Sequence, residues 1–250
     1  MPRKKLLAAN WKMYKTPGQA QTFVRDFLPL VQSSIRDEIT LCAPAVCIAA
    51  VVAEVKDSGI GVGAQNMHWE KEGAYTGELS AGQLVAAGCT HVIIGHSERR
   101  QYFGETDATV NKKLEAALEA GLTPIVCVGE VLEEREAGIT DDVLRRQCEL
   151  AFRGISGSKA EKLTVAYEPV WAIGTGKTAT PQIAAAAHVT IRAQAAKAFG
   201  KDLADKLRIL YGGSVKPDNA KALMSEVEID GALVGGASLD PKSFAAIVNY

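Results

Sequence analysis

The chain has 250 residues, 47% hydrophobic and 23% charged, which is the make-up of a globular protein with a substantial core and excludes a disordered one. Its 28 basic and 29 acidic residues leave a formal net charge of −1, so no overall field favours nucleic acid or an anionic membrane. Any anionic ligand has to be held by local groups.

In chain order, β-type runs occur at Leu6–Asn10, Ile39–Ala43, Gly61–Gln65, Thr90–Ile94, Thr123–Val128, Leu163–Tyr167, Leu207–Tyr211 and Gly231–Val234. Helix-length stretches separate them. Thr16-Pro17 opens one that continues through Leu30, and Thr180-Pro181 opens the alanine-rich Gln182–Phe199. Such alternation implies right-handed crossovers between parallel strands, and eight repeats in a chain of this length fit a closed barrel better than an open doubly wound sheet. The expected fold class is α/β, a single (β/α)8 barrel with eight parallel strands forming one domain over residues 1–250. The longest apolar run, Ala45–Ala53, is far shorter than the roughly 20 residues needed to cross a bilayer, so no membrane span is expected. Arg3-Lys4-Lys5 precedes a short apolar run, but Asn10 and Lys12 interrupt it before it reaches signal-peptide length. The five cysteines, Cys42, Cys47, Cys89, Cys127 and Cys148, form no C-x-x-C pair. They are expected to be reduced and mostly buried in a cytoplasmic protein, with neither a disulfide framework nor a zinc site.

In such a barrel the carboxyl ends of the strands share one mouth, where a site is expected. They bring Asn10 and Lys12, Gln65 and Asn66, His96, Glu168, Gly212-Gly213-Ser214 and Gly235-Gly236 to that rim. Glu168 stands between an apolar strand and Pro169, which cannot donate to a ladder, so the strand stops with the carboxylate at its mouth. Pro169-Val170-Trp171 is stiff and Gly174-Thr175-Gly176 permissive, the composition of a lid that closes on hinges. Across the mouth, His96 in Gly95-His96-Ser97-Glu98 would supply an electrophile or proton donor opposite a base, the pairing needed to remove a proton beside a carbonyl. Lys12 is the only strand-mouth lysine this reading finds, and Glu98 is placed to orient it. His68, His91 and His188 have no such spacing and read as structural or exposed.

Two glycine-rich turns at consecutive strand ends, Gly212-Gly213-Ser214 and Gly235-Gly236, let amide N–H groups approach a ligand and favour a phosphate site. Gly174-Thr175-Gly176-Lys177-Thr178 is no P-loop, because Trp171 stands where the first glycine must be. Gly59–Ala64 is no dinucleotide fingerprint, because it enters a strand instead of leaving one for a helix. The connection Gln65–Leu79 is long and carries Met67, Trp69 and Tyr75, which suits a subunit contact better than a second lid.

Asn10-Trp11-Lys12-Met13, Gly95-His96-Ser97-Glu98-Arg99-Arg100, the run Ala166–Thr180, Tyr211-Gly212-Gly213-Ser214-Val215 and Gly235-Gly236 together closely resemble the triosephosphate isomerase family. The likeness runs end to end, in the family's order. It implies a cofactor-free interconversion of dihydroxyacetone phosphate and D-glyceraldehyde 3-phosphate through an enediolate, a step of glycolysis and gluconeogenesis. By that resemblance Glu168 is the base, His96 the neutral electrophile, Lys12 and Asn10 bind substrate and developing charge, and Glu98 supports them. Gly174, Ser214, Gly235 and Gly236 would hold phosphate. Thr76 would reach toward Asn10 and Lys12 of the other subunit of a homodimer joined through the 65–79 loop. No metal is implied. Two alternatives stay open on the residues: another phosphosugar barrel enzyme, an aldolase or phosphoribosyl isomerase, and an inert phosphate-binding module. An aldolase would need a buried Schiff-base lysine, for which Lys12 offers no obvious desolvating pocket.

Overall fold

The computed structural model describes residues 3–34, 36–173 and 178–250. Eight strands, β1 (Leu6–Asn10), β2 (Glu38–Cys42), β3 (Gly61–Ala64), β4 (His91–Ile94), β5 (Thr123–Val128), β6 (Thr164–Tyr167), β7 (Arg208–Tyr211) and β8 (Gly231–Val234), follow one another round a closed barrel. Every pairing is parallel, from Leu6 opposite Glu38 round to Leu6 opposite Gly231. The expected barrel is thus found.

Alternation along each strand builds two cores. Leu6, Ala8, Cys42, Ile93, Ile125, Cys127, Ala166, Leu210 and Leu233 fill the barrel. Their neighbours, among them Leu7, Leu41, Val92, Val126, Val165, Ile209 and Ala232, point outward against the helices. Strands buried on both faces have no polar side, which is why they read as short continuous apolar runs. All five cysteines are buried and free.

The helices start where the sequence signals say. Thr16 caps Pro17–Val31 through a reciprocal pair of bonds with Gln19, and Thr180 caps Pro181–Phe199 by accepting from the Ile183 amide. β1, β5 and β8 have the expected bounds, and the other five strands differ from theirs by a residue. β2 begins at Glu38 because its amide donates to Lys5 O (2.9 Å), and the ladder rather than side-chain polarity sets where a strand starts. Glu38, His91 and Arg208 are the first residues of β2, β4 and β7, so a charged cluster sits at the barrel end opposite the mouth. No helix among the described residues is long and apolar enough to cross a membrane.

Candidate active site

Glu168 follows the last residue of β6. Its amide donates to Val128 O (2.7 Å), which extends the β5–β6 ladder by one bond and aims the side chain into the mouth, where it is 2% exposed. Oε2 accepts from the Ser97 amide (2.9 Å), and Oε1 lies 3.3 Å from Ser97 Oγ and 2.9 Å from His96 Nε2. The backbone approaches so closely that two glycines are obligatory. A Cβ on Gly129 would stand 1.7 Å from Glu168 O, and one on Gly212 would stand 2.9 Å from Glu168 Cγ.

His96 is the N-cap of the helix Ser97–Phe103, and its Nδ1 accepts from the Glu98 amide (3.2 Å). A ring nitrogen that accepts from a first-turn amide carries no proton, so the hydrogen sits on Nε2 and points at Glu168. Burial pulls the imidazole down, yet the carboxylate beside it outweighs burial and holds its pKa above the usual value. Burial likewise pushes Glu168 up, and the His96 ring with the Ser97 amide more than offsets this, leaving the carboxyl below its ordinary value. The Cys127 thiol is pushed far up by burial and then by Glu168, so it is a packed thiol and no nucleophile.

Lys12 has a left-handed backbone, with φ of 49°, an uncommon conformation for a non-glycine residue. Three contacts hold it. Its amide donates to Asn10 Oδ1 (3.0 Å), its carbonyl accepts from Gln65 Nε2 (2.9 Å), and its ammonium pairs with Glu98 as expected. Trp11 between them is fully buried and donates to Ser238 O (3.2 Å), tying the end of β1 to the 3₁₀ turn Gly236–Leu239.

A cleft of about 480 Å³ opens over these groups, lined by Asn10, Lys12, His96 and Glu168 on one side and by Gly212, Gly213, Ser214, Gly235 and Gly236 on the other. Among the described residues, no acceptor meets the amides of Gly213, Ser214, Gly235 or Gly236. These donors and the start of the Gly236–Leu239 turn suit an anion. The sequence-predicted residues therefore converge, with two exceptions. Gly174 lies outside the described residues. Thr76 is exposed on its own loop and lines no part of this cleft.

Sequence reasoning overlooked several neighbours. Ser97 sits in a quoted motif without a role, though it gives Glu168 two contacts. Gly129 carried no signal, because its partner is distant in sequence. Glu130, fully buried, accepts from Tyr167 Oη (3.0 Å) and Trp171 Nε1 (2.8 Å), fastening the segment after Glu168 to β5. Lys12 is also not the only lysine at the mouth: Lys216, in the loop after β7, lines the same cleft. The reading that counted Lys12 alone is corrected accordingly. His91 and His188 are buried and structural, as read. Met67 is fully buried within its own chain and adds nothing to an outward-facing surface.

A closed parallel barrel with a carboxylate–imidazole pair and an amide-lined anion pocket at its carboxyl mouth defines the (β/α)8-barrel class whose chemistry sits on the βα loops. Within that class, the family described as triosephosphate isomerase matches residues 5–250, and the chain belongs to it. The triosephosphate isomerase of Solibacter usitatus is 60% identical over 99% of this chain and 100% of its own. That of Geobacter metallireducens is 54% identical over 99% of both. The crystal structure of triosephosphate isomerase from Bartonella henselae, 40% identical, superposes with a TM-score of 0.89 over 98% of each chain.

Proposed function

We propose that this chain interconverts dihydroxyacetone phosphate and D-glyceraldehyde 3-phosphate, with Glu168 as the base and His96 as the proton donor to oxygen. The observation that carries the reading is the 2.9 Å contact between His96 Nε2 and Glu168 Oε1 on the wall of an amide-lined cleft. The Nε2 hydrogen now given to Glu168 is the one a substrate carbonyl needs. Substrate entering between the two therefore exchanges that bond, and the carboxylate, released from its partner, becomes a stronger base. Glu168 takes the proton from the carbon beside the carbonyl while Nε2–H supports the oxygen on which charge develops. The pair of electrons from the broken C–H bond forms the enediolate; His96 gives its Nε2 proton to the former carbonyl oxygen and regains one from the neighbouring hydroxyl, and return of the carbon-derived proton from Glu168 to the adjacent carbon, as that oxygen becomes the new carbonyl, completes the isomerisation. A neutral imidazole in this role is established for this family. Lys12 and Asn10 stabilise the developing charge, Glu98 holds Lys12, and Ser214, Gly235 and Gly236, with Gly174, hold the phosphate.

Residues 1–250 act as one catalytic domain, in the cytoplasm, where five buried free thiols are at home. The chain works as a homodimer through the 65–79 loop. His68 stacks on Trp69 and meets Tyr75 at a tilt, with ring centroids 4.1 and 4.3 Å apart, which stiffens that loop, on which Thr76 is exposed. Beside the site lies a second cavity of about 490 Å³, lined by Met13, Gln65, Glu98 and Phe103, of a size to receive such a loop from another copy. Met13 is 95% and Phe103 68% exposed in the single chain, and a second copy would cover them.

The purified protein should interconvert the two triose phosphates without added nucleotide, and Glu168→Gln should lower kcat by at least about 10³-fold, within the range typical of removing a general base. Undiminished turnover in that variant would dismiss Glu168 as the base.

A further inference from the structure

His96 follows the end of β4 and Glu168 the end of β6, so β5 lies between them and two strand-to-strand joints set the spacing of the pair. The β5–β6 joint is closed by backbone, since the Glu168 amide donates to Val128 O (2.7 Å). The β4–β5 joint is not. Its pairing stops at Ile94 opposite Val126, and Gly95 then turns away with φ of 74° and gives its amide to Glu105 Oε1 (3.2 Å). Successive carbonyls of a strand point to opposite neighbours, so with Val128 O turned to β6, Cys127 O faces β4. Among the described residues, no backbone amide from the segment after β4 reaches it. Arg100 fills the gap. It is the half-buried fourth residue of the helix Ser97–Phe103, and one edge of its guanidinium donates from Nε to Gly95 O (2.9 Å) and from Nη2 to Cys127 O (3.3 Å), while Nη1 pairs with Asp107 Oδ1 (2.6 Å). A Cβ on Gly95 would stand 3.2 Å from Nη2 and 3.3 Å from Cys127 O, so the guanidinium is packed directly against both strand ends.

We propose that Arg100 is a positioning residue for the reaction: by bridging the carbonyls of Gly95 and Cys127 it replaces the missing β4–β5 hydrogen bond and fixes the distance between His96 and Glu168. The inference deepens the isomerase reading above and rests on it. A flat fork with donors at fixed separation spans two carbonyls from different strands, whereas an ammonium is a point donor and holds one. Arg100 lines no part of the substrate cleft and acts only through the backbone of the two strand ends. The amides of Gly213, Ser214, Gly235 and Gly236 follow β7 and β8, across the barrel from this joint, so their grip on phosphate is independent of it. Loss of the bridge therefore falls on the chemical step and spares binding.

The test is Arg100→Lys, which keeps the charge beside Asp107 and gives up the second carbonyl. It should lower kcat about 10- to 100-fold, the effect of misplacing reacting groups by up to an ångström, with KM and the inhibition constant of inorganic phosphate within about twofold of wild type. Asp107→Asn removes the charge of the pair but leaves an acceptor for Nη1, and it should keep kcat within about threefold of wild type. In nitrogen NMR without substrate, the His96 ring resonances of Arg100→Lys should move, because the contact of Nε2 with Glu168 is altered. Wild-type kcat in Arg100→Lys, an equal loss in Asp107→Asn, or a rise in KM and in the phosphate constant as large as the fall in kcat overturns the inference while the proposed activity stands. A wild-type chain that does not turn over triose phosphates overturns the proposed function, and the ring resonances then decide the spacing by themselves: unmoved in Arg100→Lys, they overturn the inference as well.

Discussion

Glu168 works at a position where there is no room to spare. A methyl group on Gly129 would meet its carbonyl oxygen at 1.7 Å, and that oxygen is backbone, so it cannot rotate away. Gly129→Ala must move the Glu168 peptide itself. We expect a loss of about 1–3 kcal/mol in chemical denaturation, the usual cost of overpacking, together with a fall in kcat of about 10²-fold from misplacing the base by an ångström or less. Unaltered kcat in a destabilised protein would mean that Glu168 keeps its place regardless. The motif around His96 was legible because it is contiguous. Ser97 escaped attention in the same motif because its contacts with Glu168 bridge 71 residues, a separation that no local pattern encodes.

At the level of elements, the strands were readable to within about one residue of their observed ends, since a doubly buried strand leaves an apolar run whatever its neighbours are. The loop 65–79 was readable as unusual but not as built. Its inner end is fastened by His68 N to Leu79 O (2.7 Å) and by burial of Met67, while residues 70–78, with Tyr75 and Thr76 among them, are exposed. If that tip docks into a second copy, a charge there is expelled from the interface. Thr76→Glu should convert a dimer into monomer at micromolar concentration, with at least tenfold weaker association in sedimentation equilibrium, roughly the cost of one unpaired buried charge, and with reduced kcat. A wild-type chain that sediments as a monomer while fully active would end the dimer reading.

For the molecule as a whole, the charged cluster at the closed end links strands far apart round the barrel. Glu38 of β2 meets His91 of β4 at 3.2 Å and pairs with Arg208 of β7. The His91 ring and, against the opposing effect of burial, the Arg208 guanidinium hold the Glu38 carboxyl down at about 2, compared with an ordinary 4.5. A carboxyl depressed on folding contributes stability that is complete above its unfolded value and is lost as pH falls through its folded one. That contribution should fade between about pH 4.5 and 2. Denaturation free energies of Glu38→Gln should therefore lie below wild type at neutral pH and converge with it across that window. Parallel curves would show that the cluster does not set the acid limit.

Composition and periodicity by themselves determined eight strand–helix repeats, a closed parallel barrel and, to within a residue, where its strands end. These follow from burial and chain direction, both local properties of a sequence. Only the tertiary structure decided that Ser97 holds Glu168, that Gly129 and Gly212 must stay bare, that Lys12 bends left-handed under Gln65, and that Lys216 lines the cleft. Each depends on the distance between segments that meet only when the barrel closes, and closure is a property of all eight strands together.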